Sequence, residues 1–287
     1  MDSVSSSWQQ DRVSRLACAR ISLIYFWRHG RLPDLANPAT FTELVQWRKL
    51  HDRDPRFPVF ADKLTSKAIV ADRIGPEWVI PTYWHGTELP VEPEWKPPFV
   101  VKARHGCNQS IFVFTGRENW RDVRRKSRRW MRNDYGFWLD EWLYRQIPRG
   151  ILVEPFIGNS AKLPIDYKFY VFGGRVEFIQ VHLDRAGRHR WILFDRLWQR
   201  VSAPSADDPA PPSTVVQMIS AAEELGREFD YVRVDLYEVN GKPYFGEMTF
   251  YPGSGYDRFD PVSLDAVIGK YWLRAKRPEN TASRNKA

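Results

Sequence analysis

The sequence predicts an α+β fold, and three patterns along the chain support this prediction. Polar and apolar residues alternate on both sides of Asn240-Gly241, which is typical of a β-hairpin over residues 231–250. The 287 residues, of which 43% are hydrophobic, can bury the core of one large domain or two small ones. Apolar residues recur at helical spacing in other segments, at residues 13–27, 42–50, 64–71 and 215–225.

The loop of the predicted hairpin decides which side chains share a face. A two-residue loop at Asn240-Gly241 would pair Asp235 with Gly246 and send Glu247 to the opposite face. A three-residue loop over residues 239–241 would instead make Asp235 and Glu247 diagonal neighbours on one face, ~7–8 Å apart at their Cα atoms. We expect the three-residue loop, formed by a type I turn with a glycine in the left-handed conformation.

The shared face of this hairpin would carry a group of polar side chains. Arg233 and Thr249 join Asp235 and Glu247 there. Two carboxylates so close repel each other unless a cation lies between them. Hard oxygen ligands suit Mg²⁺, so the sequence indicates a metal site. The alternative is that both acids are solvated residues at the edge of a sheet.

The charge and the cysteine content limit the partners and the compartment. Lys and Arg total 43 against 35 Asp and Glu, a net charge of +8 that favours an acidic partner. A nucleotide, an acidic polysaccharide, an anionic lipid headgroup and nucleic acid all satisfy that condition. Cys18 and Cys107 form neither a metal spacing nor a disulfide framework, which fits a reducing cytoplasm. No window approaches the ~18 apolar residues of a membrane span, and we see no secretory signal.

Two basic helices are predicted outside the hairpin. The first covers residues 13–27, and its apolar stripe either packs on the protein body or touches a membrane. The second covers Arg117–Asn133, and its arginines either form a solvated face or bind an acidic polymer. The stripe of the first helix consists of Val13, Leu16, Ala17, Ile21 and Ile24, and that of the second of Trp120, Val123, Ser127 and Trp130.

The end of the hairpin resembles a known signature. The run Arg233-Val234-Asp235, then Gly246-Glu247-Met248-Thr249, then Pro252-Gly253-Ser254-Gly255, is similar to the C-terminal signature of the ATP-grasp superfamily. In that superfamily an Asp or Glu and a following Glu-x-Asn hold Mg²⁺ against the phosphates of ATP. The resemblance implies that Asp235, Glu247 and Thr249 bind the metal. Thr249 stands where Asn is usual, and a hydroxyl is a poorer ligand than an amide oxygen.

A second segment narrows the resemblance to one branch. The run NPATFTELVQWRKLHDRDPRFPVFADK, residues 37–63, resembles the TupA-like ATP-grasp proteins of bacterial polysaccharide and teichuronopeptide clusters. About 60 residues precede the first lobe, too few for the Rossmann-like N-terminal domain of the larger ATP-grasp ligases. The resemblance implies an ATP-grasp fold, in which two α+β lobes clasp Mg-ATP. The implied domains are a short helical N-terminal extension, an N-terminal lobe, a C-terminal lobe with the metal site and a disordered tail, at residues 1–60, 61–155, 156–274 and 275–287.

The resemblance also assigns the nucleotide-binding residues. Lys63 and Lys102 match the lysines that reach the phosphates of ATP. The residues Val153, Glu154 and Phe156 match the linker that reads the adenine and the ribose. Two further residues, Asp166 and Lys168, match cleft positions that meet nucleotide or substrate. The implied catalytic residues are Arg233, Lys102 and Lys168.

The implied chemistry is carboxylate activation. A carboxylate oxygen attacks the γ-phosphate of ATP to give an acylphosphate and ADP, and an amine then displaces phosphate to give an amide. Family association and the basic charge suggest a uronic acid of a cell-surface saccharide as the carboxylate substrate and an amino acid as the amine; no nucleic-acid partner is expected. Three alternatives remain open: a sugar or polyol kinase on the same fold, a glycosyltransferase that uses a nucleotide sugar, and a polyanion-binding module without catalysis.

Overall fold

The computed structural model of the chain describes residues 14–158, 162–183, 190–204 and 208–276. Its helices are α1 Arg15–His29, α2 Phe41–His51, α3 Arg56–Ala61, α4 Thr65–Ile74, α5 Trp120–Arg132, α6 Leu143–Gln146, α7 Val215–Gly226 and α8 Ser263–Lys276. Its strands are β1 Trp84–Gly86, β2 Phe99–Ala103, β3 Ser110–Val113, β4 Ile151–Pro155, β5 Asp166–Phe172, β6 Arg175–Leu183, β7 Arg190–Asp195, β8 Tyr231–Val239 and β9 Lys242–Thr249. The mixture of helices with antiparallel sheets confirms the predicted α+β class.

The N-terminal sheet has four strands in the order β1-β4-β2-β3. Side chains alternate across β2 and β4, so Val101 and Val153 point to one face, where Val123 of α5 completes a small core. The opposite face carries Lys102 and Glu154. Helix α5 begins after the cap residue Asn119 and turns the predicted inner stripe toward the sheet. Val123 and Ser127 are buried and Trp120 and Trp130 are half-buried, which confirms the inner face; the helix ends lie within one turn of the predicted ones.

The C-terminal sheet has five strands in the order β7-β6-β5-β8-β9. Its central strand β5 is buried along its whole length. Helix α7 covers one face, since Gly226 packs against Val171 and Val232. Helices α2 and α8 cover part of the other face, where the rings of Tyr231 and Trp272 pack at a tilt with 4.5 Å between their centroids. The uncovered part of that face carries the charged residues described below.

Helix α2 is built into the core of the C-terminal half. Thr40 and Glu43 form a capping box at its start, as the sequence predicts for one of the two threonines. Arg48 is fully buried, and its contacts with α8 and β8 cross the predicted domain boundary at residue 60. The predicted boundaries themselves remain predictions.

Helix α1 packs differently from the predicted stripe. Ile21 is buried as expected, but Leu16 is 78% exposed and Tyr25 is fully buried instead. The helix is apolar around most of its circumference, so periodicity could not select the inner face; the Tyr25 hydroxyl, 2.8 Å from that of Thr42, helps to fix it. Val13 lies outside the described residues. No helix among the described residues is long and apolar enough to cross a membrane.

Two further boundaries differ from expectation. The helix predicted to open at Ala61-Asp62-Lys63 begins at Thr65, because the Asp62 carboxylate accepts hydrogen bonds from the Leu64 amide and the Thr65 hydroxyl. Lys63 therefore lies in the connection between α3 and α4. Helix α8 extends to Lys276, into the predicted tail; residues 277–287 of that tail lie outside the described residues.

Candidate nucleotide and metal site

The hairpin β8–β9 brings Asp235 and Glu247 together by a route that the sequence analysis did not predict. The loop is the two-residue turn, with Asn240 and Gly241 at φ 53° and 70°, so the expected three-residue loop is wrong. A bulge at Gly246 then shifts the register by one residue, because Leu236 pairs with Phe245 whereas Asp235 pairs with Glu247. The two acids are directly opposite each other, closer than the diagonal arrangement that we predicted.

A polar row crosses the C-terminal sheet through this pair. Gln180 of β6 is opposite Lys168 of β5, Lys168 is opposite Asp235 of β8, and Asp235 is opposite Glu247 of β9. Directly opposed residues of an antiparallel sheet share a face. The alternation along four strands therefore places four polar side chains in one line on the uncovered face.

Asp235 is held by two cations in this row. The Arg233 guanidinium donates two hydrogen bonds to its carboxylate, at 2.7 and 2.8 Å, and Lys168 forms an ion pair with the same carboxylate. Lys168 also pairs with Asp166, at 2.7 Å. Burial would lower the pKa of Arg233, but the Asp235 carboxylate holds that pKa well above its ordinary value. Arg233 therefore stays charged.

Glu247 and Thr249 complete the group on β9. Burial raises the pKa of Glu247, but Lys63, whose ammonium is 3.5 Å from the carboxylate, outweighs that effect together with Lys168 and Arg233, so the pKa of Glu247 lies below its ordinary value. The Thr249 hydroxyl lies 3.3 Å from the Arg233 guanidinium and 3.4 Å from the Glu247 carboxylate. Thr249 thus belongs to the same cluster as both acids.

Lys63 connects the two sheets. Its ammonium donates a hydrogen bond to the carbonyl of Gly106 in the loop after β2, at 2.7 Å, and also contacts Glu247. The glutamates Glu247 and Glu154, one in each sheet, both raise its pKa against the effect of burial. The predicted phosphate-binding lysine is therefore at the junction between the lobes.

The predicted residues of the N-terminal sheet form a separate charged cluster. Lys102 pairs with Glu154 at 2.6 Å, and Lys67 of α4 pairs with the same carboxylate at 2.5 Å. Burial raises the pKa of Glu154, but the two ammonium groups bring it below the ordinary value. The sequence analysis missed Lys67, although its position four residues after Lys63 on the predicted helix was a usable signal.

The predicted linker residues already have partners within their lobe. The Val153 carbonyl accepts a hydrogen bond from the Tyr83 amide at 2.8 Å, and the Val153 side chain is in the core. The Phe156 amide donates to the Pro98 carbonyl at 3.2 Å, and its ring packs edge-on against Phe114. Of the three linker residues, only Glu154 presents a charged side chain to the open face of the sheet.

The donor chemistry around Asp235 fits a magnesium ion. Asp235, Glu247 and Thr249 supply hard oxygen donors on one face, and lysines that suit phosphate oxygens surround them. Lys168 and Arg233 now occupy the Asp235 carboxylate, so a metal ion there would exchange with these contacts. Within the described residues, no group of three or more His, Cys, Asp or Glu is placed to bind a metal. The fit therefore rests on two acids and one hydroxyl.

A small pocket, with a volume of about 10 Å³ that holds no more than about one water molecule, lies beside the polar row, on the side remote from the hairpin turn. The Tyr170 hydroxyl, which neighbours Arg233 across the sheet, donates a hydrogen bond to the Gln180 amide oxygen at 3.1 Å. The loop after β9 forms the opposite wall, and Trp191 of β7 lines the outer part. The pocket is lined by Phe41, Thr42, Tyr170, Gln180, Trp191, Pro252, Gly255, Asp257 and Phe259.

Comparison with known proteins gives one family. The family model described as TupA-like ATPgrasp matches residues 43–273. No curated protein sequence matches the chain. Among solved structures, D-alanine–D-alanine ligase from Bacillus anthracis is 15% identical over 76% of this chain and 65% of its own, with a TM-score of 0.47. The chain thus spans just under two thirds of that ligase.

Two other solved structures are similar at the same level. L-amino acid ligase from Bacillus licheniformis is 16% identical over 78% of this chain and 47% of its own, with a TM-score of 0.45. The ATP-grasp ligase PsnB, complexed with a minimal precursor, is 12% identical over 82% of this chain and 68% of its own, with a TM-score of 0.44.

Proposed function

This chain belongs to the TupA-like ATP-grasp family, and we propose that it is an ATP-dependent carboxylate–amine ligase. The direct opposition of Asp235 and Glu247 on one face of the sheet carries the proposal. Like charges at opposed positions are unfavourable unless cations compensate them, and the compensating lysines and arginine are those that a phosphoryl transfer needs.

Each residue of the cluster has a role in this reaction. Asp235, Glu247 and Thr249 would hold Mg²⁺, which neutralises charge that develops on the phosphates. Lys63 and Lys102 would bind phosphate oxygens. Glu154 would face the nucleoside, and Asp166 and Lys168 would face nucleotide or substrate; the predicted roles of Val153 and Phe156 are not kept, because the Val153 side chain is in the core and the Phe156 amide bonds to Pro98.

Arg233 would stabilise the group in transfer. Its side chain shares a face with both acids, and it stays positively charged because the Asp235 carboxylate raises its pKa. The substrate carboxylate attacks the γ-phosphorus of ATP, the bond to ADP breaks, and an acylphosphate forms. The amine then attacks the acyl carbon, and phosphate leaves to give an amide. A guanidinium beside these centres stabilises negative charge in both steps.

We propose a uronic acid of a cell-surface saccharide as the carboxylate substrate and an amino acid as the amine. The net charge of +8 supports an acidic acceptor. ATP as a substrate and two free cysteines support a cytoplasmic site of action.

A ligand-dependent melting experiment tests the nucleotide site. Mg-ATP at about 100 times its Kd should stabilise the protein by about 2.7 kcal/mol. ATP without metal should stabilise it less, and Asp235→Asn and Lys102→Met should abolish the difference. Lys126→Met, an exposed lysine of α5, is the matched control and should behave as the wild type. A shift with nucleotide sugars and none with Mg-ATP would replace the proposal with glycosyl transfer.

Product analysis tests the reaction. With ATP, a uronic acid and hydroxylamine, a ligase should release ADP and form the hydroxamate that traps the acylphosphate. With an amino acid in place of hydroxylamine, the amide and inorganic phosphate should appear. A phosphorylated sugar without phosphate release would mean a kinase instead.

A further inference from the structure

Helix α1 has a stripe of exposed apolar side chains on the side opposite to its buried face. Leu16, Leu23, Phe26 and Trp27 are 78, 70, 52 and 77% exposed. At about 100° per residue they fall within about 100° of arc, whereas the buried Ile21 and Tyr25 are on the other side. When a helix in a folded protein is apolar on both sides, the exposed apolar side indicates that it contacts a second surface.

A second exposed apolar element adjoins this stripe. Phe137 and Trp138 are 42 and 72% exposed in the turn before α6. Arg20 of α1 joins the two elements, since its guanidinium pairs with Asp140 and lies 5.7 Å from the centre of the Phe137 ring. We call the surface formed by Leu16, Leu23, Phe26, Trp27, Phe137 and Trp138 the docking face.

Positive charges outnumber negative ones around the docking face, where Asp140 is paired with Arg20. Helix α1 contains no acidic residue, and Arg15 and Arg20 flank the stripe on its two sides. Arg145 stacks on the outer aromatic element, with its guanidinium 4.7 Å from the Phe137 ring. Exposed aromatic and leucine side chains bordered by arginines match the interface between the headgroups and the acyl chains of an anionic bilayer.

We propose that the docking face binds the surface of an anionic phospholipid bilayer. A second copy of the chain fits less well, because pairing this face with itself would bring arginine against arginine. The location of the docking face relative to the pocket is a further argument for this proposal. Arg28 of α1 donates a hydrogen bond to the Tyr256 carbonyl, next to Asp257 of the pocket, so a docked α1 would lie between the lipid surface and the pocket, which are then about one helix diameter apart. This last point alone rests on the proposed function, and it would suit an acceptor carried in the membrane.

Vesicle sedimentation of the full-length protein tests the proposal. We expect binding to vesicles of phosphatidylglycerol and phosphatidylcholine, weaker binding to pure phosphatidylcholine, and a decrease with salt. The combined variant Leu23→Ser, Phe26→Ser, Trp27→Ser should lower the partition coefficient at least about tenfold, because three apolar side chains no longer enter the interface. Arg15→Gln should weaken binding to the anionic vesicles only.

The matched control changes three residues of similar exposure elsewhere: Leu197→Ser, Val216→Ser, Val262→Ser, at 78, 74 and 72% exposed. This control should bind vesicles as the wild type does, and both triple variants should keep the wild-type melting temperature. Undiminished binding by the α1 variant would overturn the proposal. The proposal would also be overturned if the wild type does not bind vesicles but forms a dimer that the α1 variant abolishes. The Mg-ATP melting shift is read separately, so failure here leaves the ligase proposal intact.

Discussion

At Asp235, two cations occupy the carboxylate to which the family resemblance assigns a metal ion. A buried carboxylate without a partner is costly, so Lys168 and Arg233 stabilise Asp235 in its buried position. The same arrangement recurs at Glu154, where Lys67 and Lys102 share one carboxylate. Sequence alternation predicted which residues would be polar on each face. It could not identify these partners, because Lys67 and Glu154 are 87 positions apart in the numbering and meet only in the folded chain.

Glu154 makes the stability of the folded protein depend on pH. Its pKa in the folded protein is below the ordinary value because Lys102 and Lys67 outweigh burial. The folded state therefore binds this proton less readily than the unfolded state, and the stability it contributes is present above the unfolded pKa and is lost as the pH falls through the folded pKa. Glu154→Gln should be less stable at pH 7 by about 2–4 kcal/mol, because two ammonium groups lose their partner.

Urea denaturation in steps from pH 7 to pH 3 measures this effect. The free energy of unfolding of the wild type should fall more steeply toward pH 3 than that of Glu154→Gln. Glu92→Gln, at an exposed position, is the control and should follow the wild type. Parallel curves for wild type and Glu154→Gln would refute the lowered pKa of Glu154.

The hairpin β8–β9 determines whether Asp235 and Glu247 share a face. Its turn residues favoured the two-residue loop, and that loop alone would have separated Asp235 from Glu247. The Gly246 bulge restores the shared face, since a glycine there has no Cβ to meet the Asp235 carbonyl oxygen and the Tyr237 ring. The sequence contained a signal, because a glycine inside a strand pattern often marks a bulge.

Substitution of Gly246 tests the bulge. In Gly246→Ala the new Cβ would lie 2.9 Å from the Asp235 carbonyl oxygen and 2.9 Å from the Tyr237 ring. The backbone must shift, at a cost of about 1–3 kcal/mol. Because the shift disturbs the opposition of Asp235 and Glu247, affinity for Mg-ATP should fall at least about tenfold, measured by calorimetry.

Gly241→Ala is the control in the same hairpin. A Cβ at Gly241 meets nothing closer than 3.9 Å, but the φ of +70° strains an alanine. Stability should fall by about 1–2 kcal/mol while nucleotide affinity is unchanged. Equal losses of affinity in both variants would mean that the register at Gly246 does not set the site.

Helix α2 attaches the N-terminal helical segment, residues 14–60, to the C-terminal sheet. Arg48 lies at the centre of that contact, with hydrogen bonds to Asp230 and to the Tyr231 carbonyl and with its guanidinium 4.3 Å from the Trp272 ring. Helix α2 therefore shares a core with the sheet that contains the hairpin β8–β9.

Loss of Arg48 should affect the whole fold. Arg48→Ala should lower the free energy of unfolding by about 3–5 kcal/mol, because it leaves buried polar partners unpaired and opens a cavity. Arg125→Ala, with a side chain that is 63% exposed on α5, should change it by less than about 0.5 kcal/mol. Thermal unfolding of both variants measures the difference. A small effect at Arg48 would mean that α2 is peripheral to the lobe.

The sequence by itself determined the α+β class and the family. Those properties depend on local alternation, turn residues and motif order, which a linear chain displays directly. The tertiary structure decided the register at Gly246, the inner face of α1 and the cation partners of Glu154 and Asp235. Each of these depends on a contact between distant segments: a carbonyl oxygen against a glycine, a tyrosine hydroxyl against Thr42, or an ammonium beside a carboxylate. Local periodicity does not specify such contacts, since several folded arrangements satisfy the same pattern of polar and apolar residues.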